Sequence, residues 1–86
     1  MKIEYSKKFI KDFRNCPDFI KNKFKIRLEI FITDKDNQIL NNHELLGVLK
    51  GYRSINITGD WRAIFQEINK EIAYFVAIGT HSKLYR

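Results

Sequence analysis

Cysteine, proline and histidine are scarce in this sequence, and their scarcity excludes several kinds of site. Its 86 residues include one cysteine, one proline and two histidines. A single cysteine cannot form a disulfide within the chain, and it argues against a zinc site built on thiolates. We therefore expect Cys16 to be a buried apolar residue at a helix end. We also expect no metal ion and no other cofactor.

Long apolar runs are missing as well. No segment approaches the roughly 18 apolar residues that a membrane-spanning helix needs. Residues 1–5 lead directly into a polar helical pattern, without the apolar stretch of a signal peptide. We therefore expect a cytoplasmic protein that has no membrane partner.

Positive charge, in contrast, is plentiful. Sixteen lysines and arginines face ten aspartates and glutamates, which gives a net charge of +6. Between residues 6 and 35 there are nine basic residues and four acidic ones. Such a surface binds phosphate backbones because binding releases condensed counterions. The charge therefore predicts a nucleic-acid partner, with an acidic protein as an additional one.

The first third of the chain has the apolar spacing of two helices that follow a short strand. Residues 2–5 alternate as a strand, and Ser6 is a good N-cap for the first helix. Pro17 disfavours helical geometry in the residue before it and suits the first turn of a second helix. The apolar residues at helical spacing are Phe9, Ile10, Phe13, Ile20, Phe24, Leu28 and Phe31.

The second helix carries more apolar residues than a single stripe needs. Ile26, Ile30 and Ile32 broaden its stripe, which predicts that a sheet covers the C-terminal half of this helix. The two helices form an antiparallel hairpin, basic outside and apolar inside. Residues 34–44 are polar and lack periodicity, so we expect them to be a surface connection.

Period-two alternation follows and predicts three strands, at residues 50–57, 61–68 and 71–78. The connections at 58–60 and 69–70 are short and contain residues that tolerate positive φ. Three consecutive strands with short turns form an antiparallel meander. With 86 residues there is room for one hydrophobic core. The sequence therefore predicts a single α+β domain, spanning residues 1–86, with the helical hairpin packed on one face of the meander.

Residues that can perform acid–base or phosphate chemistry stand at the ends of these strands. They are His43, Asp60, Trp61, Arg62, His81 and Tyr85. In a meander the end of the third strand lies beside the start of the second, so His81 should lie near Asp60 and Arg62. His43 can reach the same region if the 34–44 segment folds back over the open face.

This set of residue types suits RNA cleavage without a metal ion. Histidine can transfer protons near neutral pH because its unperturbed pKa is about 6.5. Arginine binds phosphate through two parallel hydrogen bonds, and an aromatic ring can stack on a base. Each residue also has a purely structural interpretation: His81 as a cap, Asp60 as a turn residue, Trp61 as part of the core, Arg53 as a cation at the sheet edge.

The motifs together resemble those of RelE-type toxins of bacterial type II toxin–antitoxin systems, and most closely the YafQ-like branch. The segments that carry the resemblance are Leu49-Lys50-Gly51-Tyr52-Arg53, Gly59-Asp60-Trp61-Arg62, Gly79-Thr80-His81 and Leu84-Tyr85. The resemblance implies the RelE-like fold and a toxin that cuts mRNA in the ribosomal A site without metal. It also implies a cognate acidic antitoxin that restrains the toxin in a hetero-oligomer.

Residue roles follow from the same resemblance, position by position. The implied catalytic residues are His81, His43, Asp60 and Arg62. The implied RNA-binding residues are Arg53, Trp61, Tyr85, Asn56 and Lys50. Asn56 stands where YafQ-like members often have a further catalytic histidine, and an amide cannot transfer a proton near neutral pH.

Two other functions remain open at the level of sequence. ParE-like toxins share this fold and poison DNA gyrase, although their tails generally lack the Gly-Thr-His segment. A domain with weakened catalysis can also persist as an RNA-binding or antitoxin-binding module, and Asn56 is compatible with that alternative.

Overall fold

A short strand, two helices and a run of strands follow one another in the computed structural model, which describes residues 1–85. The strands are β1 (Lys2–Tyr5), β2 (His43–Glu44), β3 (Arg53–Asn56), β4 (Trp61–Asn69) and β5 (Ile72–Thr80). The helices are α1 (Lys7–Arg14), α2 (Asp18–Thr33) and the single turn α3 (His81–Leu84). The α+β class is therefore confirmed.

Strands β3, β4 and β5 form the predicted antiparallel meander. Within the described residues they are the centre of a five-stranded sheet in the order β1-β5-β4-β3-β2. Strand β1 pairs in parallel with β5 at one edge, and β2 pairs antiparallel with β3 at the other. The predicted strands at 61–68 and 71–78 are each displaced or extended by no more than two residues.

The strand predicted at 50–57 is shorter than expected and begins only at Arg53. Gly51 has φ of 96°, a left-handed conformation that a strand cannot contain. A 3₁₀ turn at Gly47–Leu49 precedes it. Because of these two features, β3 begins three residues later than predicted.

The 34–44 segment is a surface connection as predicted, since most of its residues are exposed, but it is more ordered than its polar composition suggests. Gln38–Leu40 forms a 3₁₀ turn, and the Leu40 side chain is fully buried. The Asn42 amide donates to the carbonyl of Lys35 and accepts from Arg53 Nε. These contacts bring residues 43–44 to the sheet edge as β2, which the sequence did not reveal.

The helices begin where local chemistry predicts. Ser6 caps α1, since its hydroxyl accepts a hydrogen bond from the backbone N–H of Phe9 at 2.9 Å. Pro17 directly precedes α2, and Cys16 is buried between the two helices as expected. Within residues 1–85 no helix has both the length and the apolar composition required to cross a membrane.

The core lies between the helices and one face of the sheet and is dominated by aromatic rings. Its buried rings are Phe9, Phe24, Phe31, Phe65 and Phe75. A register shift after Ile64 leaves Val76 as an extra residue in β5, so both Phe75 and Ile78 face this core.

The prediction that the sheet covers the C-terminal half of α2 was wrong for two of its three isoleucines. Ile26 and Ile32 are 55% and 44% exposed, whereas Ile30 packs against the core. Phe24 sets the buried direction of α2. Each residue advances about 100° around a helix, so Ile26 points almost opposite to Phe24.

Replacing Phe75 with alanine is expected to lower the free energy of unfolding by about 3–5 kcal/mol. The ring is fully buried and lies within 6.2 Å, centroid to centroid, of five other aromatic rings. Urea unfolding measures the loss. The matched control is Phe19→Ala on the 65% exposed ring of α2, which should change stability by less than about 0.5 kcal/mol. Equal losses in both variants would contradict this assignment of the core.

Candidate active site

A cavity of about 350 Å³ lies on the face of the sheet that α1 and α2 leave uncovered. Arg62 points to this face. Side chains alternate along a strand, and its neighbours Trp61 and Ala63 both pack on the opposite, core side of the sheet. Three separate parts of the chain line the cavity, and their residues are Asn41, His43, Leu45, Arg62, His81 and Tyr85.

The topology brings these parts together in the way the sequence predicted. The backbone N–H of His81 donates to the carbonyl of Asp60 at 2.8 Å, which fixes the start of α3 beside the start of β4. His43 lies on β2 and reaches the cavity from there. Its partner in the ladder between β2 and β3 is Ser54. The predicted proximity of His81 to Asp60 and Arg62 and the predicted approach of His43 are both confirmed.

Arg62 is anchored by one nitrogen. Its Nη1 donates to the carbonyls of Thr58, Gly59 and Trp61, each at 3.1 Å. Carbonyl oxygens orient the guanidinium without cancelling its charge. Among the described residues no carboxylate pairs with Arg62, and no hydrogen bond engages its Nε or Nη2. A fixed cation with free donors therefore faces the cavity, which is what an anionic phosphate requires.

The orientation of His43 follows from a single contact. Its Nδ1 lies 2.7 Å from the carbonyl oxygen of Asn41, whose backbone is left-handed with φ of 46°. A carbonyl oxygen only accepts, so Nδ1 carries the proton in this contact. In the neutral ring Nε2 is then the atom that can accept a proton.

His81 and Tyr85 lie on the same side of α3. Their rings meet edge to face, with centroids 4.6 Å apart and an interplanar angle of 61°. The Thr80 hydroxyl caps the helix by accepting from the N–H of Lys83. Leu84 packs so closely over Gly79 that a Cβ there would lie 3.3 Å from its Cδ2 atom. The tail is thereby held against the sheet with both rings toward the cavity.

Four of the nine residues named from the sequence share this cavity: His43, Arg62, His81 and Tyr85. Asp60 stands beside it, exposed, and contributes its backbone carbonyl to the start of α3. Asn56 lies directly opposite Arg62 in the β3–β4 ladder. Its Oδ1 is buried and has no hydrogen-bond partner within residues 1–85.

The remaining three of the nine residues do not line the cavity either. Trp61 packs against the core on the opposite face of β4. Arg53 lies opposite Phe65, on the core side of the sheet edge, and its Nε donates to Asn42 at 2.9 Å. Lys50 is exposed in the connection before β3. For Trp61 and Arg53 the physical reason is the alternation along β3 and β4, because odd-numbered residues in these strands face the helices.

Sequence reasoning missed three residues of the site. Asn41 and Leu45 line the cavity, and Ser54 lies beneath it with its Oγ 3.0 Å from the Tyr85 hydroxyl. Ser54 could have been found from the sequence. Strand alternation places it on the sheet face opposite to Arg53 and Ile55, which is the face that carries Arg62. Asn41 and Leu45 carried none, because their positions depend on the 3₁₀ turn before β2.

A second cavity of about 370 Å³ lies on the other side of α3. It is lined in part by Cys16, Trp61, Lys83 and Leu84. Burial, assisted by the nearby Asp12 carboxylate, raises the pKa of the Cys16 thiol. The thiol therefore stays protonated at neutral pH and is a poor nucleophile. No cluster of three or more metal-binding side chains occurs in the described part of the chain.

Comparison with known proteins gives one family. A family model described as "Bacterial toxin of type II toxin-antitoxin system, YafQ" matches residues 1–86. The mRNA interferase toxin YafQ of Escherichia coli (strain K12) is 32% identical over 87 residues, which cover 96% of this chain and 94% of the relative.

Solved structures agree with the sequence comparison. The crystal structure of YafQ from E. coli strain BL21(DE3) matches with a TM-score of 0.82 at 27% identity and covers 99% of this chain and 98% of its own. A chain of the E. coli DinJ-YafQ toxin-antitoxin complex matches with a TM-score of 0.79 at 28% identity, covering 99% and 97%. A chain of the RelB-RelE complex from Methanococcus jannaschii shares the fold, with a TM-score of 0.73 at 20% identity, covering 95% and 94%.

Proposed function

Because the chain belongs to the YafQ family of bacterial type II toxin–antitoxin toxins, we propose that it is an endoribonuclease that cleaves mRNA. The observation that carries the proposal is the cavity in which two histidines meet an anchored, unneutralised Arg62. The name of its E. coli relative, an mRNA interferase, supports the same activity.

The proposed reaction is attack by a ribose 2′-hydroxyl on the adjacent phosphorus, without a metal ion. A bond forms between O2′ and phosphorus while the bond between phosphorus and O5′ breaks. One group takes the 2′-hydroxyl proton, and another protonates the departing O5′. The products are a 2′,3′-cyclic phosphate and a 5′-hydroxyl.

His81 is the principal acid–base group of this proposal. It is exposed in the cavity and held in orientation by Tyr85. His43 shares the proton transfers through Nε2, since the Asn41 carbonyl occupies its Nδ1. Asp60, whose backbone carbonyl accepts a hydrogen bond from the His81 N–H, helps to orient His81 or shares in the proton transfer. Arg62 stabilises the charge that develops on the phosphate.

The remaining residues bind RNA around the scissile phosphate. The Tyr85 ring positions a base in the cavity. Asn56 lies opposite Arg62 in the β3–β4 ladder and contributes to RNA binding, since its amide cannot supply the proton transfer of a histidine. Lys50, Arg53 and Trp61 lie outside the cavity and contact more distant parts of the substrate.

We propose that cleavage depends on the ribosome. The cavity is open and its histidines are exposed, so it supplies the reacting groups without enclosing the RNA. The ribosomal A site fixes the mRNA, and holding the reactants in place contributes a large part of the rate. The basic α1–α2 surface favours docking on ribosomal RNA. The protein accordingly acts in the cytoplasm.

A cognate acidic antitoxin is the protein partner. An E. coli relative has been crystallised in complex with DinJ, and membership of a type II system implies such a partner for this chain. The excess of basic residues between 6 and 35 provides an attractive surface for acidic segments. The expected assembly is a toxin–antitoxin hetero-oligomer.

The chemistry of the cut ends tests this mechanism. RNA fragments produced by the toxin are expected to end in a 2′,3′-cyclic phosphate, or the 3′-phosphate that forms from it, and to begin with a 5′-hydroxyl. Mass spectrometry of a cleaved oligonucleotide on programmed ribosomes identifies both ends. Fragments with 5′-phosphate ends would contradict attack by the 2′-hydroxyl, because that product requires attack by water with O3′ as the leaving group.

A further inference from the structure

Ser54 has an environment that a serine in a β-strand seldom occupies. It is the one polar residue among the buried side chains of residues 1–85, and its exposure is 0%. On β3 it lies directly opposite His43 on one side and Ile64 on the other. Burial of a hydroxyl is unfavourable unless a hydrogen bond compensates for the lost water. Its hydrogen-bond partner therefore indicates what the residue does.

That partner is Tyr85, which lies 31 residues further along the chain. The tyrosine hydroxyl donates to Ser54 Oγ at 3.0 Å. The bond joins the floor of the cavity to the residue that follows α3. At its other edge the same tyrosine ring contacts the His81 imidazole. Ser54 and His81 are thus connected through one rigid aromatic side chain.

The short helix needs this connection. α3 has four residues, and a helix of one turn has no stability of its own in water. Its first residue is fixed by the bond from the His81 N–H to the Asp60 carbonyl. Its far end is fixed by Leu84 over Gly79 and by Tyr85 on Ser54. Of these contacts, the Tyr85–Ser54 bond also determines where the ring beside His81 lies.

We infer that Ser54 is a positioning residue for RNA cleavage: its hydroxyl holds Tyr85, and Tyr85 holds the imidazole of His81 toward the substrate. The catalytic consequence rests on the proposed nuclease function. The positioning itself concerns only the protein.

Two single variants remove the same hydrogen bond from opposite ends. Ser54→Ala deletes the acceptor and Tyr85→Phe deletes the donor while keeping the ring. Each is expected to lower kcat by about three- to ten-fold, as the loss of one hydrogen bond implies, with KM little changed. The double variant should be no slower than either single variant, because the two changes remove one shared interaction.

A spectroscopic measurement separates positioning from general stability. The Tyr85 ring shifts the NMR signals of the His81 ring protons. Both single variants should move these signals toward the position they have in an unfolded peptide. Tyr74→Phe is the matched control, since Tyr74 lies opposite Gln66 on β5 and lines no part of the active-site cavity. It should leave both the rate and the His81 signals unchanged.

The outcomes are distinct. Unchanged His81 signals in Ser54→Ala and Tyr85→Phe, or additive losses of rate in the double variant, would overturn the inference. If both variants shift the His81 signals but the wild-type protein cleaves no RNA, the positioning is upheld and the nuclease function is rejected. Tyr85→Phe also shows whether the effect of Ser54→Ala comes from misfolding, because Tyr85 lies outside the core and the variant keeps its aromatic ring.

Discussion

His81→Ala is expected to reduce RNA cleavage by about 10²- to 10⁴-fold, the range for loss of a general acid–base group. Alanine can neither accept the 2′-hydroxyl proton nor protonate the departing oxygen. The imidazole is exposed in the cavity and contributes no core contact, so the fold should persist. Single-turnover cleavage on programmed ribosomes measures the rate, and growth of cells expressing the variant measures toxicity.

Ser82→Ala is the matched control for this variant. Ser82 is exposed and lies next to His81 on α3, so its replacement tests for disturbance of the short helix. Its rate and toxicity should equal those of the wild type. Full growth inhibition by His81→Ala, at equal expression, would show that His81 does not carry the chemistry.

Arg62→Ala is expected to slow the chemical step by about 10²- to 10³-fold, as removal of a transition-state donor does. One nitrogen of the guanidinium donates hydrogen bonds to three backbone carbonyls, and its remaining donors are available. Its charge therefore acts most strongly when negative charge builds up on the phosphate. The loss should appear in kcat rather than in KM.

Arg62→Lys refines this prediction. Lysine keeps the charge but cannot present two parallel donors, so its rate should lie between those of the wild type and Arg62→Ala. Lys70→Ala, in the exposed turn between β4 and β5, removes one positive charge away from both the cavity and the basic α1–α2 surface, and it serves as the control. Equal losses in Lys70→Ala and Arg62→Ala would mean that only net charge matters.

The meander and the two long helices could be predicted because their signals are local. Period-two alternation defines β3 to β5, and the Ser6 cap and Pro17 define where the helices start. The short strand β2 could not be predicted in this way. It exists because Leu40 is buried and Asn42 bonds with Arg53, and both contacts are between residues distant in sequence.

The site was predictable where topology alone determines proximity. An antiparallel meander necessarily places the end of β5 beside the start of β4, which brings His81 to Arg62. The direction of individual side chains was predicted less well. Trp61 and Arg53 share the core face with Ala63 and Phe65, although motif position alone had grouped them with the RNA-binding residues.

Ser54 shows a further limit of reasoning from sequence. Strand alternation places it on the face of Arg62, but no pattern reveals that Tyr85 reaches it from the tail. The same holds for the Asn41 carbonyl that orients His43. Such contacts depend on the exact path of loops, so a three-dimensional structure is needed to find the residues that orient a catalytic group.

The activity that we propose for this toxin is the cleavage of mRNA on the translating ribosome. Primer extension on a reporter mRNA in a translating extract tests it most directly, with wild-type protein beside His81→Ala and with a second reporter that lacks its start codon. We predict discrete cuts within the translated codons, absent with His81→Ala and absent from the untranslated reporter. Intact mRNA in the presence of folded wild-type protein would contradict the nuclease, and equal cutting of both reporters would contradict its dependence on the ribosome.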